Sequence, residues 1–330
     1  MSNNEAKTDD KVNDELSLSR QVYDFVLEAS ESFYFDDVCR SLSIDNKNTK
    51  DRKNISVILH RLCNSKKERI IEQDRKITGK YRKVQDDMVE MDLHGAVESR
   101  GLNIRYPFGL ERVFKTLPRS VLVCAGASNS GKTAFMLNFC LLNQWKHHVV
   151  YFSSEMGASR LKGRLNKHPD FIREGIGFQA FEKGGNFADA IGKFPESLCV
   201  VDYLEIYENF YEIGQKIKDI FDKLQGNGVV FIAVQKNPSR KNGKGQPEYI
   251  DLGRGGNFGL EKASLYIAMD SAGDNGYSRM KIVKAKEWQD ENVNPNNMEF
   301  QYKLLSGCRF INIKYPIGMP AEIVEVGMEF

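Results

Sequence analysis

The sequence predicts an α/β protein. Its larger part is a mostly parallel sheet with helices on both faces, preceded by a small α+β unit. Three observations predict this. From residue 105 onward, continuous apolar runs alternate with amphipathic segments. A glycine-rich loop stands between the first such run and the first such helix. Residues 17–84 carry helical periodicity that ends in two short alternating segments.

In the larger part, SVLVCAG, HVVYFSSE, SLCVVDYLEI, VVFIAVQ and SLYIAMD read as strands. KTAFMLNFCLLNQW, SRLKGRLNK and IGQKIKDIFDKLQ read as the helices between them. Strands that are apolar throughout are buried on both faces, which is the mark of a parallel sheet with helical cover. MKIVKAKEW and MEFQYKLL then read as a terminal pair of strands.

In the smaller part, Val22, Phe25, Val26 and Ala29 recur at helical spacing, with Ser17 and Ser19 available as caps. A second helix is expected over 35–42 and a third over 49–64, with Ile55, Ile58, Leu59 and Leu62 on one face. ERIIEQDRKITGKYRKV then reads as two short strands around a turn near Gly79. The expected organisation is a disordered tail over 1–16, a first domain over 17–84, a linker over 85–104 and a second domain over 105–330.

Composition narrows the function classes. The chain has 330 residues, 41% of them hydrophobic and 28% charged, as in ordinary soluble proteins of two domains. No apolar run approaches the roughly 20 residues of a membrane helix. The polar N-terminal stretch lacks the apolar core of a secretory signal, so a cytoplasmic location is expected. Six cysteines without a CxxC pair read as reduced thiols, and the five histidines show no zinc-ligand spacing.

Charge is unevenly spread. Residues 45–84 hold 13 Lys+Arg against 5 Asp+Glu, a local balance of +8 in a chain whose net charge is +2. A basic segment on a mildly acidic body points to an anionic partner docking at one place. Three helices followed by a basic hairpin resemble a winged helix-turn-helix. That resemblance implies duplex DNA binding. The start of the third helix, with Lys50, Arg52, Lys53 and Asn54, would face a groove, and Arg75, Lys76, Lys80 and Arg82 would reach phosphates.

The strongest motif is AGASNSGKT. Gly126, Ala127, Ser128, Asn129, Ser130, Gly131, Lys132 and Thr133 satisfy G-x-x-x-x-G-K-[ST] between a strand and a helix. In such a loop backbone N–H groups wrap phosphate oxygens, the lysine reaches the β- and γ-phosphates, and the threonine hydroxyl is a Mg²⁺ ligand. Asp202 ends an apolar strand and is the expected second carrier of the metal. Glu155 ends the strand after the loop helix and is placed to polarise an attacking water. Gln235, a lone amide at the tip of an apolar strand, is placed to sense the γ-phosphate. The polar segment after it carries Lys236, Arg240, Lys241, Lys244 and Arg254, suited to a nucleic-acid backbone.

As a set, these motifs resemble the RecA-like ATPase superfamily, and within it the DnaB-type helicase core, over about residues 105–313. FSSEMGASRLKGRL resembles the strand and helix bearing the catalytic glutamate, VVDYLEI the Walker B strand, and VVFIAVQKN the sensor strand. DLGRGGNFGLEKASLYIAMD resembles the loop and strand that follow the sensor. MKIVKAKEW resembles the late strand that projects a lysine and an arginine into a neighbour's ATP site. The resemblance implies ATP and Mg²⁺ as cofactors, DNA as partner, and a homo-oligomeric ring or filament. It implies ATP hydrolysis coupled to action on DNA, as in replication, recombination or maintenance of a phage or mobile element. An ATP-gated regulator with little turnover and a processive helicase are the alternatives. There are two departures. If Lys286 matches the family's lysine, Trp288 stands where the arginine belongs, which leaves Lys284, Lys286 and Arg279 as trans-acting candidates. A winged-helix-like unit also replaces the usual helical collar.

Overall fold

A computed structural model of the chain describes residues 17–65, 69–84, 88, 90–205, 212–237, 240–241, 243, 247–273 and 276–319. The tail expected over 1–16 and Lys244 lie outside the described residues. The chain divides into two units between Ala96 and Val97.

The first unit runs α1 (Leu18–Glu28), β1 (Ser32–Tyr34), α2 (Phe35–Ser41), α3 (Thr49–Asn64), β2 (Ile71–Gln73) and β3 (Lys80–Lys83). Caps fix the helix starts. The Ser17 side chain accepts from the Arg20 N–H, and the Asn48 side chain accepts from the Asp51 N–H. The three strands form an antiparallel sheet in the order β1-β3-β2. Strand β1 was not expected. Three residues are too few to show a period, and the strand forms by pairing with the free edge of β3. Val22, Val26, Val38, Ile55, Leu59 and Ile71 are fully buried, and Phe33 stacks on Tyr81 at 5.7 Å. Gly79, with φ +77°, makes the turn into β3 that no β-branched residue would accept.

The second unit holds a short 3₁₀ segment (Pro107–Arg112), β4 (Ser120–Gly126), α4 (Lys132–Asn143), β5 (Val149–Ser153), α5 (Ala158–Leu165), α6 (Pro169–Glu174) and β6 (Gln179–Glu182). It continues with α7 (Phe187–Ile191), β7 (Leu198–Leu204), α8 (Glu212–Lys223), β8 (Val229–Gln235), β9 (Arg240–Lys241), β10 (Pro247–Glu248) and α9 (Phe258–Glu261). It closes with β11 (Leu265–Asp270), β12 (Ser278–Ala285), β13 (Glu299–Leu305) and β14 (Arg309–Lys314). Leu102 and Ile104, at the end of the segment read as a linker, pack into this unit.

The main sheet has nine strands in the order β14-β13-β12-β11-β4-β8-β7-β5-β6. The six from β11 to β6 are mutually parallel. Strands β12, β13 and β14 extend the sheet antiparallel to their neighbours. The expected terminal pair β12–β13 is therefore followed by a further strand. In β14 Phe310 turns into the core, while its neighbours Arg309 and Ile311 are half-buried.

Strand alternation divides the core in two. Leu122 and Cys124 of β4 face the layer built by Phe135 and Phe139 of α4. Val121, Val123 and Ala125 face the opposite layer, built by Ile213, Ile217 and Ile220 of α8. Phe108 sits between the first layer and the antiparallel extension. Its ring lies 5.7 Å from Phe300, 5.3 Å from Tyr302 and 4.9 Å from Phe310. It holds φ +65°, unusual for an aromatic residue, and the packed rings fix it there. Phe108→Ala is expected to destabilise the protein by about 3–5 kcal/mol, measured by urea denaturation of the full chain.

Candidate nucleotide-binding site

The parallel strands β4, β5, β7 and β8 end at one edge of the sheet, so the segments that leave them meet there. The arriving groups are the loop residues 128–131, Glu155, Asp202 and Gln235. Together with Thr133, Met156, Arg160, Arg164, Tyr203, Leu304 and Gly307 they line one cavity of about 350 Å³.

Two glycines make the loop possible. A Cβ on Gly126 would lie 2.3 Å from Lys132 Cγ and 2.6 Å from Ser130 Oγ. The lysine stem therefore passes over a bare backbone. Gly131 holds φ +93° at the N-cap of α4, where an L side chain is strained. Tyr302 of β13 donates to the Ser130 carbonyl at 2.6 Å and fixes the loop from the far side. Lys132 Nζ donates to the carbonyls of Gly126 at 2.8 Å and Ala127 at 3.0 Å. Burial holds its ammonium below the ordinary lysine value, while nearby Asp202 and Glu155 act in the opposite direction.

Asp202 is 4% exposed. Tyr151 donates to its Oδ2 at 2.6 Å, and the Thr133 side chain hydrogen-bonds to it as well. Burial raises its carboxyl above the usual range, and the two hydroxyls oppose that rise. The residues expected to share a metal are thus brought together. Among the described residues, no three His, Cys, Asp or Glu side chains form a metal cluster. The donor set of one hydroxyl and one carboxylate suits a hard cation that completes its shell with phosphate oxygens and water, as Mg²⁺ does. Ser130 Oγ, buried in the loop without a partner, agrees with a site shaped for further oxygen ligands.

Glu155 is exposed at the cavity wall. The Met156 N–H donates to Ser153 Oγ at 2.9 Å, which turns the chain after β5 and carries the glutamate outward. Helix α5 begins after Gly157, so Glu155 does not cap it. Gln235 Nε2 donates to Ser128 Oγ at 3.5 Å, linking the end of β8 to the loop. Sequence reasoning missed Arg160 and Arg164. The signal was their spacing of four on a helix that follows Glu155.

Several expected contacts are corrected. Lys236 does not track a nucleic acid: it is 2% exposed, and its Nζ lies 2.6 Å from Asp270 Oδ1. Its buried partner Asp270 ends β11, two strands from β8 in the sheet, and the Ile250 carbonyl accepts from the same Nζ at 2.7 Å. Arg279 is 7% exposed and is held by Asp251, Asp270 and Glu299, so it does not reach outward. Lys284 Nζ donates to the carbonyl of Leu260 at 2.6 Å, closing the end of α9. Trp288 Nε1 donates to the Ala285 carbonyl at 3.0 Å, and the residue bridges to Phe114. Lys286 and Arg254 are exposed. Arg240 and Lys241 lie in β9, which pairs with β10.

In the first unit Lys50, Lys53, Asn54, Arg75 and Lys76 are exposed, and Lys80 is half-buried. Arg52 serves the fold instead. It bonds Asp36 at 2.7 Å and Asn46 at 2.9 Å, with its guanidinium 5.0 Å from the Phe35 ring centre. Arg82 pairs with Glu72 on the neighbouring strand.

A glycine-rich loop thus leaves the central strand of a mostly parallel sheet, with a buried carboxylate at the end of a strand two places away. No protein-family profile matches the chain, and no curated protein matches it in sequence. Among solved structures it is similar to the RadB recombinase, at TM-score 0.42 and 16% identity over 58% of this chain and 89% of that one. It is similar to the KaiC-like protein PH0186 of the archaeon Pyrococcus horikoshii OT3, at TM-score 0.46 and 15% identity over 63% and 96%. It is also similar to a further solved ATPase domain, at TM-score 0.48 and 17% identity over 66% and 94%. Among the described residues no helix is long and apolar enough to cross a membrane.

Tyr151→Phe removes one of the hydroxyl donors of buried Asp202. A stability loss of about 1–3 kcal/mol is expected in urea denaturation. Asp202→Asn, which has no charge to satisfy, should lose less.

Proposed function

We propose that this chain is a DNA-binding ATPase that couples Mg-ATP binding and hydrolysis to action on DNA as a homo-oligomer. One observation carries the reading: Lys132, Thr133, Asp202, Glu155 and Gln235, from four separate segments, line a single cavity at the phosphate loop. The loop amides and Lys132 would hold the triphosphate. Thr133 and Asp202 would hold Mg²⁺, which neutralises phosphate charge when bound. Glu155 would orient the attacking water and accept its proton. Gln235 would report the γ-phosphate to the segment after β8. The exposed Lys50, Lys53 and Asn54 at the start of α3, with Arg75 and Lys76 on the hairpin, support a winged-helix mode of duplex binding.

A second reading has its own support. Trp288, in place of an arginine, is held against its own core. That favours a nucleotide-gated assembly factor with slow turnover.

The test is steady-state ATP hydrolysis at fixed salt without nucleic acid, with duplex and with single-stranded DNA. Lys132→Ala is expected to abolish turnover while duplex binding stays within about twofold. Parental hydrolysis by that variant would reject the site. Lys50→Glu combined with Lys53→Glu is expected to weaken duplex binding at least about tenfold in a salt-dependent way. Arg52 is left intact to preserve the fold. Unchanged binding would move the unit to protein contacts. Stimulation by single strands alone would favour a translocase. ATP binding with negligible turnover in all three mixtures would favour the gated assembly factor.

A further inference from the structure

We propose that Tyr302 and Ser278 form a buried hydroxyl relay that locks the Ser130–Gly131 peptide with its N–H turned toward the cavity, which makes Tyr302 a positioning residue for nucleotide phosphate. The proposal rests on the ATPase reading. It goes beyond that reading by naming what holds a loop amide in place before a nucleotide arrives.

Four observations carry it. Tyr302 of β13 is fully buried and donates to the Ser130 carbonyl at 2.6 Å. Ser278 of β12 stands directly across from Tyr302 in the antiparallel register and is 5% exposed. Its side chain hydrogen-bonds the same phenol. Gly131 lines the cavity, and its N–H has no acceptor among the described residues. The β13–β14 pair also presses on Gly131 itself, where a Cβ would stand 3.4 Å from Phe310 and 3.5 Å from Leu304.

Peptide geometry joins these observations. A trans peptide is planar, and its C=O and N–H point in opposite directions. The Ser130 carbonyl points at Tyr302, whose ring lies 5.3 Å from Phe108 and 5.1 Å from Phe310. The Gly131 N–H therefore points away from this ring cluster, toward the cavity. A flipped peptide would aim a carbonyl oxygen at phosphate oxygens and would strip the phenol of its acceptor.

The relay opposes that flip. Ser278 supplies a donor to the phenol oxygen, which leaves the phenol proton for the Ser130 carbonyl. Burial lifts the phenol well above its ordinary pKa, so it keeps that proton. A backbone N–H held toward an anion site needs no reordering when phosphate binds, and the saving appears as affinity. Tyr302 lies 172 residues from Ser130 in the chain. The lock is thus a contribution of the antiparallel extension to the loop.

The test measures binding of fluorescent ADP and ATP analogues to the full chain, with urea denaturation in parallel. Tyr302→Phe keeps the ring and removes the hydroxyl. It is expected to raise the Kd of both analogues about 3–10-fold, the loss of one hydrogen bond. The two analogues should lose alike, because the loop amides cradle phosphates that both nucleotides carry. Ser278→Ala should raise both values in the same direction by less. The double variant should bind no more weakly than Tyr302→Phe alone, because the serine acts only through the phenol. A lower urea midpoint with both Kd values within twofold of parental would show a purely structural tyrosine and overturn the proposal. Additive losses in the double variant overturn the relay. If Tyr302→Phe does not fold, Ser278→Ala decides, and unchanged affinity in that variant rejects the proposal. A parental chain that binds neither analogue overturns the underlying ATPase reading instead.

Discussion

The site depends on the absence of a side chain at Gly126. The Lys132 stem and the Ser130 hydroxyl occupy the space where a Cβ would stand, less than 3 Å away. Any other residue there would push the lysine off the loop or force the loop off β4. The remaining placements follow from that turn. Helix α4 starts at Lys132 with Gly131 as its left-handed cap. Thr133 then falls beside Asp202. The turn also exposes the Ser130 carbonyl to Tyr302, which ties the antiparallel extension to the loop.

The second constraint is electrostatic. Asp202 is buried at a strand end, where burial alone would favour its neutral form. Two hydroxyls and the nearby Lys132 ammonium oppose this and favour its charged form. Lys132 in turn is depressed by burial and supported by the same carboxylate. The two charges hold each other in a region that neither would occupy alone. A similar balance acts at the ends of β8 and β11, where Lys236, Asp270 and Arg279 form a buried group. That group is structural, and it anchors the backbone just beyond Gln235.

The glycine-rich loop, the strands leading to it and the placement of Asp202 and Glu155 at strand ends beside it were legible in the sequence. A parallel strand buried on both faces leaves a continuous apolar run, and a polar residue at its end stands out. The helices of the first unit were legible as well, since α3 spans the residues its periodicity marked. Elements of low contrast were not. Strand β1 has three residues, and all four positions of β6 are exposed at the sheet edge. Neither leaves a pattern to read.

By itself the sequence determined the order of strands and helices, the glycine-rich loop between β4 and α4 and the concentration of positive charge in one unit. These are local properties, written in spacing and composition. Tertiary structure decided which charges are free. Lys236, Arg279 and Arg52 look in sequence like any exposed cation, yet each is consumed by a carboxylate brought from elsewhere in the chain. Arg160 and Arg164 look like an ordinary helix surface, yet they face the cavity. The reason is that pairing and burial of a charge depend on distant segments, and residue spacing along the chain carries no record of them.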